Sequence, residues 1–437
     1  MSILAFFSAL LLLSNGVYLT LKSGFFQFKH LSIVFKVTFK KLINGKDLQG
    51  FKAMALALGS TIGIGNIVGV TSAVIVGGPG AVFWMLLSGF AGMIIKFAET
   101  YISVKDAIQY KRTSGGPMYV FKTNLKGVFK HLGSIFAVVC VFASFFAGNI
   151  IQSKSIYRFA EIGFNINPTL ITLGVVPLLL VIILGNDRIY QNFSAIFVPL
   201  MSLFYISAIL FIIVSNYKNI PNAIISILSC AFGIKSAIGG FSGFMISKAI
   251  RVGMMKGLFT HEAGMGSSPI AHSSALNPDP FVQGCWGVVE VFTDTVVVCM
   301  LTALAVLTSP LFLSGDLSDP FTLICGIFEN SFGNLGIILL CISACCFAFA
   351  SIIGWSFYGI KALEFLNNKP ISRIIYTLVF VCFVPLSLKI NDTFAWMLTD
   401  VFNSLMLIPN ACFLLYFGGD SVTHLKKIRN VLEIDLK

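Results

Sequence analysis

The sequence predicts an all-α polytopic membrane protein with about eleven transmembrane helices. Three observations carry that prediction. Hydrophobic residues make up 57% of the 437 residues and charged residues only 11%, with a mean hydropathy of +0.90. A soluble domain carries about 25% charged residues. The apolar residues gather into runs of roughly 20, the length that crosses a bilayer as a helix. The basic residues lie mostly in the stretches between those runs. The net charge of +12 therefore reads as a topology signal and not as a nucleic-acid surface.

Eleven segments are long and apolar enough, at about 2–21, 51–76, 80–104, 133–157, 168–185, 191–214, 222–248, 283–309, 334–360, 371–388 and 393–417. The first has no basic residue before its apolar run and no small-x-small cleavage site, so it reads as a span and not a signal peptide. Counting loops alternately puts most Lys and Arg on one side. That side holds Lys29 to Lys46, Lys111 to Lys130, Arg251, Lys256, Arg373 and Lys426 to Arg429. Lys154, Arg158, Lys218 and Lys389 fall on the other. The positive-inside rule then sets the N-terminus outside and the C-terminus in the cytoplasm, for a chain in the plasma (inner) membrane. The loops at 22–50 and 105–132 are too short to fold alone. The 10 Cys lie mostly in apolar runs, with no CxxC pair or Cys/His metal spacing, and read as small buried hydrophobes.

Within the second segment stands Ser60-Thr61-Ile62-Gly63-Ile64-Gly65-Asn66-Ile67-Val68-Gly69. Glycines and a polar cluster at membrane depth are tolerated only where the backbone is buried in protein or lines a cavity. A dinucleotide fingerprint is excluded, because no strand precedes the glycines. A comparable interruption, Gly233-Ile234-Lys235-Ser236-Ala237-Ile238-Gly239-Gly240-Phe241, stands in the seventh segment. Without the first helix, ten spans divide into five and five, and each half opens with a broken span. An odd number of spans per half inserts the halves with opposite orientation. The expected organisation is residues 1–50 as an N-terminal helix with a basic loop, 51–215 and 216–417 as inverted five-helix repeats, and 418–437 as a tail.

Paired breaks in inverted halves point to a transport site; two small-residue packing faces are the alternative. A half-helix N-terminus presents unpaired N–H groups and a positive dipole end to an anion. Carbonyls freed by unwinding accept from a cation or an ammonium. A small zwitterion, an amino acid, satisfies both. The expected substrate residues are Thr61, Gly63, Ile64, Gly65, Asn66, Gly239, Gly240, Phe241 and Trp355.

Several polar residues need weighing. His261-Glu262 with His272 lacks the H-E-x-x-H spacing of a zinc hydrolase and reads as scaffolding in a Gly/Ser/Pro-rich cytoplasmic loop. Lys96 and Glu99, three apart, read as a self-neutralising pair near a span end. Asp400 and Asn403 read as packing glue. Asp294 is an intramembrane acid, either functional or paired with Lys235, and Glu290 lies one turn earlier. The buried pair expected is Lys235 with Asp294. No nucleophile–base constellation of an enzyme and no selectivity ring of a channel stands out.

The motifs as a set resemble the alanine or glycine:cation symporters, relatives of the LeuT-type inverted-repeat transporters. They include Gly63 to Val70, Gly77-Gly78-Pro79-Gly80-Ala81-Val82-Phe83-Trp84-Met85, Gly115-Gly116-Pro117-Met118-Tyr119 and Glu262 to His272. Phe292-Thr293-Asp294-Thr295, Phe347 to Trp355 and Pro409-Asn410 complete them. The resemblance implies uptake of alanine, D-alanine or glycine, driven by sodium as the coupling ion, with no cofactor and no obligate protein partner. A proton-coupled carrier of the same fold is the alternative. It places cation ligands at Ile62, Gly65 and Ser351. Ala350 stands where the family usually has a second hydroxyl.

Overall fold

A computed structural model describes residues 3–233, 241–315 and 319–435, and among them the regular structure is entirely helical. The principal helices are α1 (Ile3–Ser23), α2 (Leu31–Ile43), α3 (Leu48–Thr61), α4 (Val68–Gly77), α5 (Gly80–Gln109) and α6 (Gly127–Phe164). Then come α7 (Pro168–Ile183), α8 (Asp187–Ser215), α9 (Ile220–Phe232), α10 (Phe241–His261) and α11 (Ser268–His272). The last are α12 (Pro280–Thr308), α13 (Pro320–Phe332), α14 (Asn334–Leu366), α15 (Pro370–Leu386) and α16 (Asp392–Asp435). Among the described residues, 7 helices are long and apolar enough to cross a membrane: α5, α6, α8, α12, α14, the α15 segment and the first part of α16.

The break in the second segment is present. α3 ends at Thr61, Ile64–Asn66 form one 3-10 turn, and α4 starts at Val68. All of Ala53–Val70 is buried, so the interruption lies in protein, as an interrupted helix at membrane depth requires. It sits among α10, α12 and α14.

The seventh segment differs from the expectation. α9 ends at Gly233 (φ 67), and Lys235, Gly239 and Gly240 lie outside the described residues. The interruption that the structure describes comes later. α10 runs to His261, Glu262–Ser267 leave the helical path, and α11 starts at Ser268. Glu262, Gly264 and Gly266 take φ of 51, 80 and 78. Only glycine does so freely, which explains the two glycines and makes Glu262 a strained exception. This stretch is no exposed loop: His261–Ser273 are all buried. Phe241 opens α10, and at 1.5 Å per residue it stands roughly 27 Å along the axis from Phe259. It is therefore not beside the first break.

The first break packs against a π-helical turn, Phe292–Cys299 within α12, and a second such turn, Ser144–Ile150 within α6, packs on α14. Such turns swing side chains off the regular helical register and are frequent at functional sites.

Candidate substrate and cation site between two broken helices

The first break is held open by side chains from distant helices. Gly63 N–H donates to Asn66 Oδ1 (3.1 Å) and Ile64 N–H to Gln152 Oε1 (3.1 Å). These replace the helical bonds that the glycines forgo. Asn66 Nδ2 donates to Asp294 Oδ1 (2.7 Å) and to the Asp294 carbonyl (3.3 Å). Thr295 Oγ1 donates to Asp294 Oδ2 (2.8 Å), so both carboxylate oxygens have neutral donors. Ser351 Oγ donates to the Ser60 carbonyl (2.9 Å), and Ser60 Oγ lies 2.6 Å from the Tyr358 hydroxyl.

The second break is tied to α14 through Glu262. Trp355 Nε1 donates to Glu262 Oε1 (3.0 Å), and Ser267 Oγ to Oε2 (2.7 Å). Gly148 makes room for the indole: a Cβ there would stand 2.1 Å from Trp355 Cβ. A small, nearly closed cavity of about 10 Å³ lies between the breaks. It is lined by Thr61, Gly63, Gly65, Gln152, Glu262 and Ser351, with Ser60, Ala147, Phe259, Trp355 and Asn403 completing the wall. A Cβ on Gly63 would meet the Gln152 amide and Ser351 Oγ at 3.1–3.2 Å, and one on Gly65 would meet the Phe259 ring at 2.9 Å.

A wider depression opens beside this cavity, lined by Ile64, Val68, Gly69, Lys154, Arg158, Lys256, Asp319, Asp392 and Trp396 among others. Lys154 pairs with Asp392 (2.7 Å) and Arg158 with Asp319 (2.8 Å) across it. Phe259, in the cavity wall, packs on Trp396 with centroids 5.1 Å apart, and Lys256 Nζ sits 4.5 Å from the Trp396 ring centre. Lys256 thus shares a depression with Lys154 and Arg158, which the loop count puts on the opposite side. The count errs because Lys256 belongs to a helix, α10, and not to a loop.

Behind the second break lies a buried charge cluster. Lys96 Nζ stands 3.2 Å from Glu290 Oε1, 3.9 Å from Glu99 Oε1 and 2.7 Å from Ser268 Oγ. Glu290 Oε2 lies 3.1 Å from His272 Nε2. Glu99 accepts from the Gly264 and Gly266 N–H groups (3.3 and 3.2 Å) and from Asn410 Nδ2 (2.9 Å). Lys96 is 0% exposed, so it does not snorkel. The spacing predicts its bond to Glu99, while its nearer carboxylate, Glu290, comes from α12.

The structure therefore brings Thr61, Gly63, Gly65, Ser351 and Trp355 to one place, with Asn66 and Ile64 on its flanks; Ile62, between Thr61 and Gly63, is not in the cavity wall. Gln152, Phe259, Glu262 and Asn403 belong there too, although the sequence reading gave them no site role. Gln152 carries no local signal. Phe259 and Glu262 flank a Gly-rich element whose burial the sequence does not reveal.

A family profile described as the sodium:alanine symporter family matches residues 2–435. An uncharacterized transporter of Haemophilus influenzae is 36% identical over 92% of this chain and 88% of its own length. The sodium/alanine symporter AgcS of Methanococcus maripaludis is 33% identical over 98% of this chain and 95% of its own. The crystal structure of MhsT in complex with L-phenylalanine shares the fold, with a TM-score of 0.60 at 16% identity over 83% of this chain and 88% of that one. On the length and specificity of these matches, the chain belongs to the sodium:alanine symporter family.

Proposed function

We propose that this protein is a secondary symporter that takes up alanine, D-alanine or glycine with sodium by alternating access. The carrying observation is the cavity between the two breaks, which offers an anion and a cation their separate ends. The N-terminal end of α4 and the Gln152 amide beside Gly63 suit a carboxylate. The carbonyls of Thr61 and Ile62 with Ser351 suit a cation.

In this reading the chain crosses the inner membrane eleven times, N-terminus outside. After the first helix it forms two inverted halves of five spans, one opened by α3–α4 and the other by the broken helix α10–α11. Asn66, Ile64 and Trp355 complete the substrate site, and Gly65 adds a carbonyl to the cation. The wider depression is the external approach, and Phe259 separates it from the cavity. The name of the relative AgcS, a sodium/alanine symporter, supports substrate and ion alike.

The test is uptake of labelled alanine and glycine by proteoliposomes under imposed sodium or proton gradients. Accumulation driven by an inward sodium gradient, with counter-flow, is the expected result. Accumulation under a proton gradient alone would transfer the reading to a proton-coupled carrier. Accumulation of neither amino acid under either gradient would end it.

A further inference from the structure

Glu262 is the one acidic side chain in the wall of the cavity between the breaks. It is 4% exposed and holds φ 51, a left-handed backbone region that a non-glycine residue adopts only under strain. Its two hydrogen-bond donors, Trp355 Nε1 and Ser267 Oγ, are both neutral. Among the described residues it makes no ion pair within 4.0 Å. The buried cation packed behind the break, Lys96, is already engaged by Glu290 and Glu99. The adjacent His261 turns Nδ1 to accept the Ala263 N–H (3.0 Å), which leaves no proton on that nitrogen. A buried carboxylate with neutral neighbours calls for a counter-charge.

A second observation points the same way. Asn403 stands in the wall of the same cavity, and its Oδ1 is buried with no hydrogen-bond partner among the described residues. Orphaned buried acceptors are rare and need an explanation. The cavity thus presents two acceptors at this end without a cationic donor. An ammonium group supplies three N–H donors, a positive charge and no acceptor. Elsewhere in the wall, Gln152 Nε2 stands beside Gly63 as a donor.

We propose that the Glu262 carboxylate is the fixed counter-charge for the α-ammonium group of the transported amino acid, with Asn403 Oδ1 as a second acceptor. This rests on the symporter reading above and names the residue that orients the zwitterion within it. Glu262 then also links occupancy to the packing of α14. Its Trp355 bond ties α14 to the second break, so a ligand that neutralises the carboxylate acts on both.

The test uses the full-length protein in detergent, with equilibrium binding of labelled alanine at saturating sodium and the sodium requirement at saturating alanine. Glu262→Gln keeps the shape and removes the charge. We expect its alanine Kd to rise about 10- to 100-fold, the scale of one charge-assisted hydrogen bond, with the sodium requirement nearly unchanged. Lactate replaces the ammonium by a hydroxyl, and its disadvantage against alanine should shrink in the same variant. An unchanged alanine Kd overturns the proposal, as does a shift confined to the sodium requirement, which would assign the carboxylate to the cation. If Glu262→Gln does not purify as a single species, Glu262→Asp decides. Retracting the charge by one methylene should weaken alanine several-fold, and no change refutes the proposal. Failure of the unmutated protein to bind alanine or glycine would instead overturn the symporter reading itself.

Discussion

Asn66 Nδ2 donates to the Asp294 carboxylate at 2.7 Å, and this bond fastens the first break to the π-helical turn of α12. Both residues are 0% exposed. Asn66 also turns its Oδ1 back to the Gly63 N–H, so one amide shapes the break and ties it to a helix 228 residues away. Lys235, the expected partner of Asp294, lies outside the described residues, and Asp294 meets two neutral donors in Asn66 and Thr295.

Removing one side of that bond leaves a buried group unsatisfied, which costs about 1–3 kcal/mol and more for a charge. We expect Asn66→Ala and Asp294→Ala each to lower the melting temperature in detergent. The double variant should be less destabilised than the sum, by about 0.5–3 kcal/mol. Strict additivity would show that the two residues do not act together.

Gly63 and Gly65 face different walls, so their substitutions should differ. A Cβ on Gly63 meets the tips of Gln152 and Ser351 at 3.1–3.2 Å, and those tips can give. A Cβ on Gly65 meets the Phe259 ring at 2.9 Å, where a shift disturbs the wall of the cavity. Gly63→Ala should keep measurable uptake, Gly65→Ala should lose more, and Leu at either position should abolish uptake while insertion persists. Near-normal alanine affinity in both Leu variants would remove the first break from the site.

The first break was legible because its glycines interrupt an otherwise apolar run, an anomaly visible within ten residues. The interruption at Glu262–Ser267 is hidden from the sequence for a physical reason. Glu262–Ser267 is polar, and polarity beside a span reads as an exposed loop. Its burial depends on Glu99, Asn410 and Lys96, which reach it from α5 and α16. No local pattern announces a carboxylate that accepts the N–H groups of Gly264 and Gly266 from 165 and 167 residues away. Asn403 was misjudged in the same way: a polar residue on an apolar helix shows its partners, or its lack of one, only in three dimensions.

Ser351 tests the cation side. Its hydroxyl reaches the Ser60 carbonyl at 2.9 Å and faces Gly63, while Ala350 carries no oxygen on its side chain. Ser351→Ala should raise the sodium concentration for half-maximal uptake, with a smaller change in alanine affinity at saturating sodium. An unchanged sodium dependence would place the cation elsewhere.

The last prediction concerns Lys96. Its ammonium is fully buried between Glu290 at 3.2 Å and Glu99 at 3.9 Å, and it also donates to Ser268 at the start of α11. The cluster holds the second break from behind: Glu99 takes two of its backbone N–H groups, and Glu290 fixes Ser268 and His272. Removing one member of a buried ion pair typically costs 3–5 kcal/mol, because the partner charge is left stranded. Replacing both members by neutral groups often costs much less. We therefore expect Lys96→Met to be the most damaging single change in the cluster, lowering both the melting temperature and the yield of folded protein. Glu290→Gln alone should be milder, since Glu99 remains to balance Lys96. The double variant Lys96→Met with Glu290→Gln should recover part of the stability lost in Lys96→Met, and the recovery should appear in thermal melting whether or not transport returns. If the double variant melts no higher than Lys96→Met, Glu99 and not Glu290 is the stranded charge, and Lys96→Met with Glu99→Gln should then be the variant that recovers.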